Sequence, residues 1–204
     1  MPRQPTIVGN PVLLVIDIQC SAFMDVKAGI PVMDSYKSRM EKALGVIAAA
    51  RDLDIPTVYI QEIHRRDMVD YGRELDGTEG VHCLAGEPGT PLPAHITGQR
   101  PQDYFIPKRR YSAFFGTDLE ILLKGLKAET LIMIGGLTDV CVHYSFVDGH
   151  QHDYHCRVAS DCVGGSSDAA HDASLNAMEY LQTGAVLASE DIIAAMKSHM
   201  AKAA

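Results

Sequence analysis

Three residues that could carry out nucleophilic chemistry each follow a short apolar run. Asp17 closes the run Val12 to Ile16, Lys108 comes just after Tyr104 to Ile106, and Cys141 comes after Leu131 to Ile134, where a helix is predicted to open. In open α/β sheets, ligands bind outside the carboxyl ends of the strands. We therefore expect the three side chains to lie in one site, although each residue type taken singly also has ordinary structural roles.

The three residue types together make a workable acyl-transfer site. The start of a helix and a nearby lysine both stabilise a thiolate, so we expect the pKa of Cys141 to be lowered and the sulfur to be nucleophilic at neutral pH. Asp17 can accept the thiol proton and return it to a leaving nitrogen. The pair Gly135-Gly136 permits an unusual turn, in which the amides of Leu137 and Cys141 would face a developing oxyanion.

Strand-like and helix-like segments alternate along the chain. This pattern predicts a doubly wound α/β fold of three layers, with helices on both faces of a mostly parallel sheet of five to six strands. Strands are expected at about residues 12–17, 57–61, 103–106, 131–134, 155–160 and 185–187. Helices are expected at about 36–53, 117–126 with Thr117 as cap, 140–151, 167–181 and 189–200. One domain, residues 1–204, follows, with a long functional loop at about 63–102.

Composition excludes several classes of function. The 204 residues carry a formal charge of -8, and there is no run rich in lysine and arginine, so neither nucleic acid nor a membrane is an expected partner. The five cysteines have irregular spacing and form no CxxC motif, which argues against a disulfide framework. The run Val12 to Ile16 is too short for a signal peptide. A cytoplasmic protein is the simplest interpretation.

The motifs around the three candidate residues resemble those of the isochorismatase-like cysteine hydrolases. The segment 17–23, DIQCSAF, is similar to the opening D-x-Q-x-x-F of that family, with one extra residue before Phe23. Residues 108–114, KRRYSAF, are similar to K-x-x-x-S-A-F, and residues 135–142, GGLTDVCV, to the nucleophile motif G-[VI]-x-T-x-x-C-V. The order and positions of these motifs make the resemblance specific, and it extends over nearly the whole chain.

The resemblance implies a role for each of these residues. Cys141 would be the nucleophile, Asp17 the general base and acid, and Lys108 the stabiliser of the thiolate and the transition state. A cis peptide bond is implied between Gly136 and Leu137, aiming the Leu137 amide at the oxyanion. Gly136 itself departs from the family pattern, in which valine or isoleucine is usual. The resemblance also implies a homodimer or homotetramer.

The resemblance further implies a hydrolase of small C–N substrates. The expected activity is cleavage of an amide, carbamoyl or ureido group through a thioester. Residues 62–67, EIHRRD, are similar to a motif of biuret-type and ureido-type hydrolases. We therefore expect Glu62, His64 and Arg65 to bind the substrate, the alternative being that they only organise the long loop through hydrogen bonds and ion pairs. Phe23 and Tyr111 are expected to wall the pocket, with core packing as the alternative.

Three alternatives to this function remain open. The first is a metal-assisted nicotinamidase, whose ligands would be Glu62, His64 and His82, although we expect no metal and no other cofactor. The second is an isochorismatase-type hydrolase of a vinyl ether, which the presence of the Cys141 thiol disfavours. The third is a non-catalytic member of the family, against which the intact set of Asp17, Lys108 and Cys141 argues.

Overall fold

The computed structural model describes residues 5–24 and 29–203, and within them the chain forms one six-stranded sheet. All strand pairs are parallel, in the order β3-β2-β1-β4-β5-β6. The strands are β1 (Asn10–Ile16), β2 (Thr57–Glu62), β3 (Tyr104–Lys108), β4 (Ala128–Gly136), β5 (His155–Gly164) and β6 (Val186–Leu187). The predicted α/β class is confirmed, and the sheet is entirely parallel.

Six α-helices connect and cover the strands. They are α1 (Tyr36–Asp52), α2 (Ala94–Thr97), α3 (Leu119–Gly125), α4 (His143–Gln151), α5 (Asp168–Leu181) and α6 (Ser189–Ala203). Helix α3 begins two residues after Thr117, whose hydroxyl accepts a hydrogen bond from the Leu119 amide at 3.2 Å. No helix of the described residues is both long and apolar enough to cross a membrane.

The apolar run of β1 is continuous because both faces of the strand are covered. Leu14 packs with α3, α4 and α5 on one side, whereas Leu13 packs with α1 and α6 on the other. Successive side chains of a strand point to opposite faces, so a central strand of a three-layer fold is apolar at every position. All residues from Pro11 to Ile16 are buried.

The strand order reverses between β1 and β4, and this switch point positions the candidate site. Chain connections leave β1 and β4 in opposite directions, which opens a crevice at their carboxyl ends. Gly135 pairs with Ile16 there and has a φ of 116°. A Cβ at this position would lie 2.8 Å from the Ile16 carbonyl carbon, so only glycine allows the two strand ends to approach.

The segment between β2 and β3 has more structure than a plain loop. It contains a 3₁₀ turn, Glu74–Asp76, and helix α2, and an isolated bridge joins His64 to Leu84. These elements place Glu74 and His82 close to Glu62, the last residue of β2. The segment thus contributes buried polar groups to the site as well as surface.

Candidate active site

Lys108 lies at the centre of the candidate site and is only 1% exposed. Its Nζ is 2.9 Å from Asp17 Oδ2, 2.5 Å from Glu62 Oε2 and 3.3 Å from Cys141 Sγ. The structure therefore brings together the three residues that the sequence proposed for catalysis. It adds Glu62 as a fourth member, since Glu62 Oε2 is also 3.7 Å from Cys141 Sγ.

Backbone geometry fixes the two ends of this cluster. Asp17 follows β1 in a left-handed conformation, with a φ of 50°, and its Oδ1 accepts a hydrogen bond from the Glu62 amide at 2.7 Å. Cys141 lies in a π-helical turn, Thr138–Val142, which continues into α4. The expected cis peptide bond is present between Gly136 and Leu137.

The pKa of Cys141 differs from the expectation of a lowered value. Burial, together with the negative charges of Asp17 and Glu62, outweighs the effect of Lys108 and raises the pKa of the thiol well above its usual range. Burial is the largest cause, and one ammonium beside two carboxylates does not offset it. The sulfur is thus a protonated thiol in the resting site.

The two carboxylates of the cluster titrate in opposite directions. Burial raises the pKa of Asp17, with Glu62 adding to the effect and Lys108 opposing it, which makes Asp17 a stronger base than a surface aspartate. Burial also opposes ionisation of Glu62, but Lys108, His64 and His82 hold its pKa well below the usual range. Glu62 therefore stays ionised, and Asp17 is the group suited to exchange a proton.

Glu62 also belongs to a second polar cluster, on the side of Glu62 away from Cys141. Its members are Glu62, His64, Glu74 and His82. All four side chains are buried, and one potential ligand atom from each lies within 4.8 Å of the others. His82 Nδ1 is 2.7 Å from the Gly80 carbonyl, while its Nε2 is 2.8 Å from Glu62 Oε1. Glu74 Oε2 lies 3.3 Å from His64 Nε2, but neither buried oxygen of Glu74 makes a hydrogen bond. The cluster needs positive charge, from a protonated histidine or from a metal ion.

The residues of this second cluster fit a divalent metal by donor type and by support. Two imidazoles and two carboxylates are a chemically suitable set for zinc or iron. The bond from His82 Nδ1 to a carbonyl is the support that metal-bound histidines usually have. A proton on His64 also supplies the positive charge that the cluster needs. Glu62 and Glu74 outweigh the effect of burial and raise the pKa of His64 to about 9.

A cavity of about 840 Å³ opens in front of Cys141. Of the residues assigned to substrate binding, Glu62 and Tyr111 line it. Phe23, His64 and Arg65 are not among the lining residues. Phe23 packs against the core beside α1, His64 is fully buried behind Glu62, and the exposed side chain of Arg65 pairs with Asp67. Asp67 holds the Arg65 side chain at the surface, and Asp70 accepts a hydrogen bond from the Arg65 backbone amide at 3.0 Å.

Several residues of the site have no signal in the sequence motifs. Glu74 lies in the irregular segment after β2, and only folding brings it to His64. Tyr36 and Cys83 line the cavity although they belong to none of the matched motifs.

Gln19 belongs to the D-x-Q motif, and the structure shows what it does. The side chains of both Gln19 and Gln61 donate hydrogen bonds to the Thr90 carbonyl, at 2.6 and 2.7 Å. A glutamine there ties the long segment to the end of β1.

Comparison with known proteins agrees with this geometry. The family model described as "Isochorismatase domain" matches residues 11–191. The chain belongs to the isochorismatase family. The maleamate amidohydrolase of Pseudomonas putida is 30% identical over 142 residues, which are 67% of this chain and 64% of that protein. The ureidoacrylate amidohydrolase of Methylorubrum extorquens is 28% identical over 177 residues, 74% of this chain and 68% of that protein.

Solved structures of the isochorismatase family share the fold. An isochorismatase-like hydrolase from Alkaliphilus metalliredigens superposes with a TM-score of 0.79 at 25% identity, covering 92% of this chain and 99% of that one. The chain spans about half to two thirds of the length of the first curated relatives it matches. Its relatives in the isochorismatase family include proteins named as amidohydrolases.

Proposed function

We propose that this isochorismatase-family member is a cysteine-dependent amidohydrolase that cleaves a small amide, carbamoyl or ureido substrate. The observation that carries the proposal is the contact of one buried ammonium, Lys108, with both Asp17 and Cys141 at the mouth of the cavity. The maleamate and ureidoacrylate amidohydrolases among its relatives support the same class of reaction.

The first half of the reaction forms a thioester. As Cys141 Sγ attacks the substrate carbonyl carbon, the thiol proton passes to Asp17, and the carbonyl π electrons move to the oxygen. The amides of Leu137 and Cys141, both of which border the cavity, would stabilise that oxyanion. When the oxyanion collapses, the C–N bond breaks, and Asp17 returns the proton to the leaving nitrogen as ammonia or an amine departs.

The second half regenerates the enzyme. Asp17 takes a proton from a water molecule, whose oxygen attacks the thioester carbon. Collapse of the second oxyanion breaks the C–S bond, releasing the carboxylic or carbamic acid, and the proton on Asp17 returns to the sulfur. Lys108 stays charged throughout, because Asp17, Cys141 and Glu62 outweigh its burial and hold its pKa well above the usual range.

The test is ammonia release from a panel of small substrates. The panel contains nicotinamide, N-carbamoyl amino acids, biuret, ureidoacrylate and maleamate, and it is run with the wild-type chain, Cys141→Ala and Cys83→Ala. Cys83 borders the same cavity, but its thiol bonds Gln19 Oε1 at 3.7 Å, whereas Lys108 bonds Cys141, so Cys83 is the matched control. We expect activity that Cys141→Ala abolishes and Cys83→Ala retains. Activity that survives in Cys141→Ala contradicts the proposal, and vinyl ether cleavage without ammonia release favours the isochorismatase-type alternative.

A metal-assisted amidohydrolase of the nicotinamidase type is a second candidate. The buried cluster of Glu62, His64, Glu74 and His82, with its unsatisfied Glu74 oxygens, favours it. These four residues would hold the ion, and a bound divalent metal supplies Lewis acidity. Metal content of protein purified without chelator decides between the candidates, with Glu74→Gln as the matched variant. A stoichiometric metal that Glu74→Gln loses supports this candidate, and a substoichiometric content excludes it.

The oligomeric state and the compartment remain part of the proposal. We propose a homodimer or homotetramer that works in the cytoplasm on a small-molecule substrate. Light scattering of the purified protein measures the assembly directly, and a monomeric mass contradicts it.

A further inference from the structure

Tyr36, the first residue of α1, lies across the ends of β4 and β5. Those strands end in a register pair of glycines, Gly136 and Gly164. A Cβ built on Gly164 would lie 2.6 Å from Tyr36 Cδ2, and one built on Gly136 would lie 2.7 Å from Tyr36 Cε2. The phenol ring therefore packs directly against both glycines. A side chain at either position would displace it.

This packing accounts for the departure of Gly136 from the family pattern. A valine or isoleucine at position 136 would occupy the volume that the Tyr36 ring occupies here. The glycine thus makes room for an aromatic side chain with a polar end. The Tyr36 ring, from α1, fills the space that a β-branched side chain at position 136 would fill.

The hydroxyl of Tyr36 lies against Gly136, and Tyr36 borders the cavity that the reacting groups border. Of the Tyr36 atoms, the hydroxyl oxygen would lie nearest to a Cβ built on Gly136. Tyr36 borders the cavity together with Asp17, Leu137 and Cys141. Among the described residues, the hydroxyl has no hydrogen-bond partner, whereas its neighbours in the site are bonded to one another. Burial, with the negative charge of Asp17 adding to it, raises the pKa of the phenol far above its usual range. The group is thus a permanent donor facing the cavity.

We propose that the Tyr36 hydroxyl donates a hydrogen bond to the carbonyl oxygen of the substrate, as a third oxyanion donor beside the amides of Leu137 and Cys141. The inference rests on the proposed amidohydrolase function and adds a catalytic residue to it. The bond strengthens as negative charge develops on that oxygen, so it acts on the transition state more than on the bound substrate. Tyr36 would also select substrates whose reacting carbonyl leaves room for the phenol.

Tyr36→Phe tests the proposal, because it keeps the ring against the two glycines and removes only the hydroxyl. We expect kcat to fall about a hundredfold with KM changed by less than about threefold, as for loss of one oxyanion donor. Tyr154→Phe is the matched control. Tyr154 is a buried tyrosine that does not border the cavity, and its hydroxyl, unlike that of Tyr36, already donates a hydrogen bond, to Glu120 Oε2 at 3.0 Å. We expect that variant to retain wild-type kinetics.

The outcomes separate this inference from the proposed function. The substrate is whichever member of the panel the wild-type chain hydrolyses, and Cys141→Ala is assayed alongside. If hydrolysis requires Cys141 and Tyr36→Phe keeps its kcat, or loses only KM, then the inference is overturned and the proposed function stands. If no panel member is hydrolysed in a Cys141-dependent way, both are overturned. A fall in kcat for Tyr36→Phe with an unchanged melting temperature supports both.

Discussion

Replacing Asp17 with asparagine should make the Cys141 sulfur more reactive and the enzyme less active. An Asp17 carboxylate oxygen lies within 4.8 Å of the Cys141 sulfur. At an effective dielectric constant of about 20, a unit charge at that distance disfavours the thiolate by about 3.5 kcal/mol. Asparagine removes the charge, so we expect the thiolate population near neutral pH to rise roughly ten- to a hundredfold after relaxation of the site.

The same substitution removes the group that protonates the leaving nitrogen in the proposed mechanism. General acid–base catalysis typically contributes about 10²- to 10⁴-fold, so kcat/KM for ammonia release should fall by at least about a hundredfold. The fold should be retained, because the asparagine Oδ1 can still accept the bond from the Glu62 amide. The pKa of Asp17 is raised in the folded protein. Ionised Asp17 therefore destabilises the folded state at any pH above the pKa that this residue has in the unfolded chain. A neutral residue relieves that cost at neutral pH, so the melting temperature should not decrease.

Two assays on one protein preparation measure these opposite effects. The rate of Cys141 alkylation by iodoacetamide, followed by mass spectrometry, reports the thiolate, and ammonia release reports the complete reaction. Cys141→Ala gives the background of both. Faster alkylation together with lost hydrolysis is the expected pattern. The reasoning is refuted if Asp17→Asn alkylates more slowly than the wild type, or if it hydrolyses the substrate within about threefold of the wild-type rate.

Three further predictions follow from the same geometry. The wild-type alkylation rate of Cys141 should keep rising with pH past neutrality, because its thiol pKa is raised; a plateau below neutral pH would contradict the resting thiol. Lys108→Met should lower kcat/KM by about a hundredfold or more while Lys124→Met, on an exposed lysine, does not; equal activities would remove Lys108 from the mechanism. Gly135→Ala should reduce the free energy of urea unfolding by about 2–5 kcal/mol, whereas Gly45→Ala, with open space around it, should not reduce it.

The parts of the fold that sequence predicts well are those with one dominant physical signal. The run Val12 to Ile16 is apolar at every position, a pattern typical of a strand that is covered on both faces. In the structure this run belongs to β1, which is buried from Pro11 to Ile16. The periodic residues of α1 likewise predict a helix from Tyr36, where it begins. Element ends were less accurate. Strand β5 continues to Gly164, because the polar residues Ser160 and Asp161 remain in the sheet by bonding to Leu187 and Ser189.

The site was predictable as far as strand ends determine it. Asp17, Lys108 and Cys141 follow three strands of one parallel sheet, so topology alone brings them together. Contacts that depend on the path of residues 63–102 could not be predicted, since no periodicity marks the approach of Glu74 to His64. The pKa of Cys141 could not be predicted for a related reason. Its direction depends first on how deeply the sulfur is buried and then on which charges face it. A motif shows which residues are present, but it shows neither the burial nor the facing charges.

In the proposed mechanism, charge balance keeps the buried Cys141 thiol protonated until substrate binds. Asp17 and Glu62 carry two negative charges beside one ammonium, so an ionised Cys141 would add a third negative charge in a buried volume. Attack on a carbonyl moves that charge from the sulfur to the substrate oxygen, away from the carboxylates and toward the amides of Leu137 and Cys141. The thiol therefore loses its proton to Asp17 at low cost only when an acceptor carbon is present, and an alkylating agent that offers no such oxygen should react slowly.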